Sequence, residues 1–510
     1  MRVSAYEIIL PLIGKDERKI PGKRLLANGL YGAMDVVPEE VAAALAGGKA
    51  GSIAPPIRER LLARGHIARE DGTALQDVKL LGRIHRKVFG AYSITPVILP
   101  TYDCNFRCPY CFERERLKKG AEWLQRKMSP SMIDAVFAAL EKQRGKGRRI
   151  KDITLYGGEP LMRENRAVVE AICARAKDMG LKISIVTNGY DLGSYWDLLE
   201  RMPIDDMQIT VDGVGELNNR RRRHRDGAPT YERILQNAGE AVERGIDIKL
   251  RVNVDRENLP AIPALLEDLE ARGLRGKKGL ELYFSPVTFV NDSHEELGHL
   301  DILAALREAG ESMEEAVQQV NSIGSMASKV WSIMEKKEKF EFAPAFCGAE
   351  EGMLVIAPDG KIFPCWDYVG IDSEAVGYTD EAAGEFVLGL PKALWRTRTV
   401  DFMEPCQTCP YLFLCKGGCA AKAKRETGSS FRGHCGEVKE IAAFVLSRLA
   451  GRKWEEAQAA GASPSEGGIM ELTPSLTEPL ARLAERDRKR IMETAGEREI
   501  FSIAKEAGLL

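Results

Sequence analysis

The chain of 510 residues lacks several features whose absence is informative. Its 6 histidines are dispersed, and there is no HExxH pair, phosphate-binding glycine loop or serine-nucleophile turn. Charge of neither sign prevails: 73 Lys+Arg stand against 75 Asp+Glu, and a net charge of −2 gives no general attraction to nucleic acid or an anionic membrane. No apolar run reaches the ~18–20 residues of a membrane-spanning helix. The opening MRVSAYEIILPLIGKDERK lacks the organisation of a secretory signal, so a cytoplasmic location is expected. With 44% hydrophobic residues the composition is not that of a disordered chain, and the length suggests about three domains.

Cysteine, in contrast, is plentiful and clustered. Of 11 residues, Cys104, Cys108 and Cys111 form one group, and Cys347, Cys365, Cys406, Cys409, Cys415, Cys419 and Cys435 a second, while Cys173 stands alone in an Ala-rich helical run as an expected core thiol. Clustered thiols in a chain without a secretory signal point to metal binding rather than disulfides.

Residues 1–90 read as a small α/β unit, with strands at 6–10 and from 24, and helices at 39–45 and 57–64 opened by Pro38 and Pro56. This suggests a winged-helix-like module or a cap on the next domain. Over 91–290, strand-like segments (97–101, 153–156, 183–187, 207–211, 248–254, 280–285) alternate with helix-like ones (131–142, 167–178, 195–201, 231–244, 262–272). Repeated βα units imply a parallel sheet with right-handed crossovers. Six units fall short of a closed eight-fold barrel, so an open partial barrel is expected, with its chemistry at the carboxyl ends of the strands. Residues 291–345 read as a helical bridge and 346–450 as a Cys-rich, loop-rich domain. In 451–510, a linker at 461–468 precedes an amphipathic helix near 480–493.

The first strand candidate runs into Cys104-Asn-Phe-Arg-Cys108-Pro-Tyr-Cys111, a C-x3-C-x2-C spacing. Three thiolates can wrap one face of a metal centre, whereas a closed zinc or iron–sulfur site needs four ligands. Either one position stays open, or a zinc knuckle borrows a distant fourth ligand. In this position the loop resembles the hallmark of the radical SAM superfamily. The resemblance implies a [4Fe–4S] cluster whose open iron is chelated by S-adenosylmethionine (SAM), and reductive cleavage of SAM to a hydrogen-abstracting 5′-deoxyadenosyl radical. It also implies SAM contacts at other strand ends. Gly157, Gly158 and Glu159 resemble the GGE motif, in which the carboxylate accepts the SAM ammonium group. Thr187 and Asn188 fit the ribose-contacting position, Gln208 and Thr210 would line the cleft, and Tyr110 would stack on adenine. Arg220, Arg221, Arg222, Arg223 and Arg225 read alone as a solvated loop or an anion contact. By resemblance Arg222 would meet the SAM carboxylate.

The second cysteine group resembles the seven-cysteine SPASM domain of radical SAM peptide-modifying enzymes; two zinc ribbons would need eight ligands. The resemblance implies two auxiliary [4Fe–4S] clusters, three in all. Cys347, Cys365 and Cys419 would hold the first auxiliary cluster, one ligand short, and Cys406, Cys409, Cys415 and Cys435 the second.

A SPASM domain implies modification of a peptide, and residues 1–90 resemble the PqqD-like recognition element (RRE) that binds a leader peptide as an added strand. The expected function is therefore a maturase of ribosomally made peptides (RiPPs), of the sactipeptide or ranthipeptide type, forming a crosslink such as a thioether. Flavodoxin or ferredoxin would supply electrons, and no nucleic acid or membrane partner is expected. The alternatives are an anaerobic sulfatase-maturating, formylglycine-generating enzyme, or a non-catalytic iron–sulfur carrier or peptide-binding scaffold. No residue acting on the substrate itself is identified.

Overall fold

In strands such as Lys182–Thr187 and Ile248–Val254 apolar residues stand at alternate positions, and the polar residues between them decide what lies on the other face. The computed structural model describes residues 2–68, 73–90, 93–288, 297–462 and 466–510, with the side chains at 89, 90, 114, 115, 117 and 466 left out. The expected boundaries at 90/91 and 290/291 and the middle of the expected linker touch or lie outside the described residues.

The chain divides into two compact units: Met1–Ala91, Ile323–Cys347 and Thr397–Leu510 form one, and Tyr92–Ser322 with Gly348–Arg396 the other. These units cut across the expected segments, since 346–450 is shared between them and 451–510 joins the unit that holds the N-terminus.

The second unit carries the barrel strands β1 (Thr95–Ile98), β2 (Asp152–Leu155), β3 (Lys182–Thr187), β4 (Ile204–Thr210), β5 (Ile248–Val254) and β6 (Leu280–Pro286). Each lies parallel to its sequence neighbour, as expected of a partial (β/α)6 barrel. Helices Pro130–Gly145, Arg166–Asp178, Tyr231–Glu243 and Ile262–Ala271 fall where the apolar periodicity placed them. The first of these is started by Ser129, whose Oγ accepts from Met132 N at 3.0 Å, followed by Pro130 at the first helical position. On β5, Ile248, Leu250, Val252 and Val254 are buried, and the strand packs against helix Tyr231–Glu243. Lys249, Arg251 and Asn253 are half-buried on the opposite face. Parallel sheets are ordinarily apolar on both faces, so a polar face of this kind marks a site rather than a core.

An open barrel leaves the outer side of β1 unpaired, and the Cys-rich segment supplies what covers it. Strand β7 (Met353–Ile356) pairs parallel with β1, and β8 (Lys361–Phe363), β9 (Gly377–Asp380) and β10 (Glu385–Leu388) continue the sheet antiparallel to ten strands. These short strands were not apparent in the sequence, which read as loops there. Their order comes from an edge offered by residues far away in the chain.

In the first unit, strands Glu7–Ile13, Lys19–Asn28 and Met34–Pro38 form an antiparallel sheet, with helices Glu39–Ala46 and Pro55–Ala63 packed on a core that includes Leu26, Val37, Val41, Leu45, Leu61 and Ile469. The last of these residues comes from the C-terminal tail. Met470–Glu471 adds antiparallel to Met34–Pro38 as the outermost strand, and Leu472 N donates to Met34 O at 2.8 Å. The expected single helix near 480–493 is instead a pair, Thr477–Arg482 and Glu485–Glu493, followed by Glu497–Glu506. A buried ionic group ties this unit together. His66 bridges Glu7 Oε1 at 2.9 Å and Asp35 Oδ2 at 2.6 Å, and Arg64 Nε donates to Asp35 Oδ2 at 2.5 Å.

Candidate functional site

The loop that follows β1 is built by short-range hydrogen bonds and then clamped from two sides. Cys104 N donates to Asp103 Oδ1 at 2.8 Å, and Phe106 N donates to Cys104 Sγ at 3.3 Å. On one side Phe106 bridges antiparallel to His224, while Arg107 N donates to Arg223 O and Arg225 N to Asn105 O, both at 2.7 Å. On the other side Glu159 N donates to Asp103 O at 2.8 Å. Gly158, at φ +49°, allows this approach, because a Cβ there would collide with the Asp103 carbonyl.

The backbone of the arginine run is thus pinned at Arg223 and Arg225, while its side chains divide: Arg220, Arg223 and Arg225 are exposed and Arg221 and Arg222 are buried. Arg221 is fully buried and ion-paired with Asp255 (2.8 Å) and Glu257 (2.9 Å). Arg222 is also buried, donates from Nη1 to Tyr110 Oη at 2.9 Å, and leaves its Nε without a partner among the described residues. Tyr110 in turn donates to Asp212, which also accepts from Asn253 N at 3.0 Å. Burial and the Asp212 charge hold the Tyr110 phenol protonated, well above the usual tyrosine range.

Glu159, Thr187 and Asn188 are brought together. The buried Glu159 carboxylate accepts from Leu161 N at 2.8 Å and Thr187 Oγ1 at 2.5 Å through Oε1, and from Asn188 N at 2.6 Å through Oε2. Burial lifts its pKa to about 7 in spite of these donors. With three internal donors, Glu159 ties the end of β2 to the end of β3, a positioning task that its sequence motif does not disclose. Gln208 lies on the polar face of the sheet, accepting from Tyr283 Oη at 2.6 Å, and Thr210 is buried beside Arg251 in the β4–β5 register.

Burial and negative neighbours raise all three thiols of the loop: Cys104 by burial and Glu159, Cys108 by burial against the lowering effect of Arg222, and Cys111 to about 12 by burial and Glu113. A cationic centre relieves all three, since it is the thiolate that ligates. Among the described residues no three His, Cys, Asp or Glu side chains converge closely enough for a single ion. A cubane cluster holds its ligand sulfurs farther apart than one ion does, and the donor set fits it.

In the first unit Cys406, Cys409, Cys415 and Cys435 lie within electrostatic reach of one another, burial and mutual repulsion raising Cys406 and Cys415, the latter to about 11. The fully buried Arg398 braces their loops by donating to the carbonyls of Gly418 (2.9 Å), Arg432 (3.0 Å), Gly417 (3.4 Å) and Ser430. Cys347 and Cys419 belong to the same unit, and Cys365 to the other. Cys173 is buried in helix Arg166–Asp178.

Sequence reasoning missed Glu113, Asp212, Arg251, Asn253 and Tyr283. Glu113 Oε2 accepts from Gly158 N at 3.1 Å. For the β5 residues a signal existed, because polar side chains alternate with Ile, Leu and Val in a strand flanked by other strands.

Residues 98–269 match the Radical SAM superfamily. The chain is 24% identical over 343 residues to the PqqA peptide cyclase of Granulibacter bethesdensis, covering 64% of this chain and 82% of that one. It is 21% identical over 349 residues to the serine-type anaerobic sulfatase-maturating enzyme of Klebsiella aerogenes, covering 62% and 77%. Among solved structures, native anSMEcpe with bound AdoMet aligns with a TM-score of 0.53 at 15% identity, over 72% of this chain and 100% of that one.

Proposed function

Because residues 98–269 match the radical SAM superfamily, we propose that this chain is a SPASM-type maturase that modifies a ribosomally made precursor peptide, abstracting hydrogen from one of its residues to form a crosslink such as a thioether. The observation that carries this reading is the clamped three-cysteine loop at the carboxyl end of β1, joined to the Gly157-Gly158-Glu159 turn and the buried Arg222. Cys104, Cys108 and Cys111 would hold a [4Fe–4S] cluster that supplies one electron to SAM, whose cleavage supplies the hydrogen-abstracting radical.

The chain's own residues do the positioning. Glu159 fixes the ends of β2 and β3, Arg222 offers an incompletely satisfied guanidinium to an anionic group of SAM, and Tyr110 and Asp212 hold that guanidinium in place. The grouping of Cys406, Cys409, Cys415 and Cys435 supports a second cluster there. Cys347 and Cys419, which lie in that same unit, are proposed ligands of a third. Flavodoxin or ferredoxin is the proposed donor, in the cytoplasm; among the described residues no helix is long and apolar enough to cross a membrane.

Leader binding by residues 1–90 is constrained by the sheet. One outer strand is the chain's own Met470–Glu471, and the other, Glu7–Ile13, packs against helix Val438–Ala459, so an added leader strand would have to displace one of the two. A second reading, oxidation of a sulfatase residue to formylglycine, is favoured by the similarity to the Klebsiella enzyme.

Two measurements test these readings. Anaerobically reconstituted protein with SAM and a reductant should release 5′-deoxyadenosine and methionine, and absence of both refutes the enzyme reading. Co-expression with a short cysteine-rich peptide encoded beside the gene should yield a product lighter by two hydrogen atoms per crosslink. An unchanged peptide together with an oxidised sulfatase peptide would select the second reading.

A further inference from the structure

The polar face of the sheet carries one cation that its surroundings do not neutralise. Lys249 is paired with Asp206 at 2.6 Å, and Arg221 with Asp255. Arg251, two residues along β5 from Lys249, has only neutral hydrogen-bond partners among the described residues: its Nε donates to Asn253 Oδ1 at 2.8 Å and its Nη2 to Ser285 Oγ at 3.4 Å, and it also donates toward the Tyr283 hydroxyl. A half-buried guanidinium on a structural face is ordinarily paired, because burial without a counter-charge is unfavourable.

The walls around it are aromatic. Tyr283 stands opposite Arg251 in the β5–β6 register, donates its hydroxyl to Gln208 Oε1 at 2.6 Å and accepts from Arg251. Tyr156, close enough to feel the Arg251 charge, stacks on the partly exposed Trp366 with ring centroids 5.4 Å apart. The same polar row leads to the cysteine loop, since Asn253 Nδ2 reaches Tyr110 Oη at 3.4 Å, and Tyr110 lies between Cys108 and Cys111. A planar guanidinium flanked by aromatic rings and paired, among the described residues, with no carboxylate is the arrangement that takes one.

We propose that Arg251 anchors a carboxylate of the peptide substrate, so that the segment presented to the cysteine loop carries an acidic group. The inference rests on the peptide-maturase reading and adds a substrate preference to it.

The test uses the anaerobically prepared holoenzyme with SAM bound and three capped tripeptides as probes: N-acetyl-Gly-Glu-Gly-amide (side-chain carboxylate), N-acetyl-Gly-Gln-Gly with a free C-terminus (main-chain carboxylate), and N-acetyl-Gly-Gln-Gly-amide (neither). Binding by calorimetry or ligand-observed NMR should favour a carboxylate probe over the neutral one by about 10-fold or more, the range of a hydrogen bond to a charged group. Which carboxylate probe wins identifies the source. Arg251→Gln should abolish the discrimination and Arg251→Lys should retain part of it. Equal binding of all three probes to the unaltered enzyme overturns the proposal, whether or not the variants fold. So does a loss in Arg251→Gln that falls on SAM affinity rather than on the carboxylate probes, which would make Arg251 a SAM contact. Release of 5′-deoxyadenosine by the same preparation judges the parent reading separately: release without discrimination refutes the anchor alone.

Discussion

Removing the imidazole of His66 should destabilise the unit that contains the N-terminus more than any single substitution on its surface. The ring has no solvent exposure and sits between the carboxylates of Glu7 and Asp35, whose side chains are 2% and 0% exposed. Burial disfavours its charged form, yet Glu7 and Asp35 overcome that and raise its pKa to about 10. In His66→Ala, Arg64 still pairs with Asp35, but Glu7 keeps only Asn28 Nδ2, at 3.2 Å. Breaking a buried pair in this way costs about 3–5 kcal/mol, or about 6–20 °C in the melting midpoint of a unit of this size. The pH dependence gives a second handle. His66 holds an extra proton in the folded state between its unfolded pKa of about 6.5 and its folded one of about 10, so its contribution is complete below 6.5 and lost as the pH rises through 10, at most about 5 kcal/mol in all. Denaturant unfolding of the full chain at several pH values, with hydrogen exchange of the Glu7–Ile13 strand to localise the effect, measures both. The alanine variant should lack the decline between pH 6.5 and 10 that the parent shows. A midpoint within about 1 kcal/mol of the parent at pH 6, or parallel pH profiles, would refute a charged His66.

Three further outcomes follow from the site. Gly158→Ala should abolish SAM cleavage by forcing the GGE turn off the cysteine loop, whereas Gly180→Ala, also at positive φ but with open space around its Cβ position, should cost only about 1–2 kcal/mol of stability in the same melting assay. Arg398→Ala should lower the iron bound per chain and weaken the signal of the proposed auxiliary cluster in electron paramagnetic resonance, because it removes the guanidinium that ties the loops of Gly417, Gly418, Ser430 and Arg432 together, at about 1–3 kcal/mol for a buried carbonyl such as that of Gly418. Tyr110→Phe should release Arg222 and Asp212 from their shared hydroxyl and weaken SAM binding by roughly 10-fold, measured by calorimetry; unchanged affinity would remove Tyr110 from the site.

The barrel was legible because each βα unit buries its own apolar stripe locally. The expected strand at 248–254 and the observed one coincide, and the other barrel strands differ by a few residues at their ends. Met34–Pro38 was not legible, since a strand buried along nearly its whole length shows no alternation and Pro38 read only as a helix opener. Helix Thr73–His85 was also passed over, although its buried Val78, Leu81 and Ile84 fall on one face. Glu159 was found by its motif, but its three internal donors come from residues that meet it only across the sheet.

What the sequence determined by itself is what short-range spacing can encode: three thiols within eight residues, the glycines that let a turn approach them, and the alternation of strand and helix that builds a parallel sheet. What only the tertiary structure decided depends on encounters between residues far apart in the chain. Parallel register sets Arg251 beside Tyr283 and Thr210, antiparallel pairing sets the arginine run against the cysteine loop, and the tail strand Met470–Glu471 closes the edge of the N-terminal sheet. Local propensity carries no information about such pairings, because register and burial are fixed by which surfaces meet when the units fold.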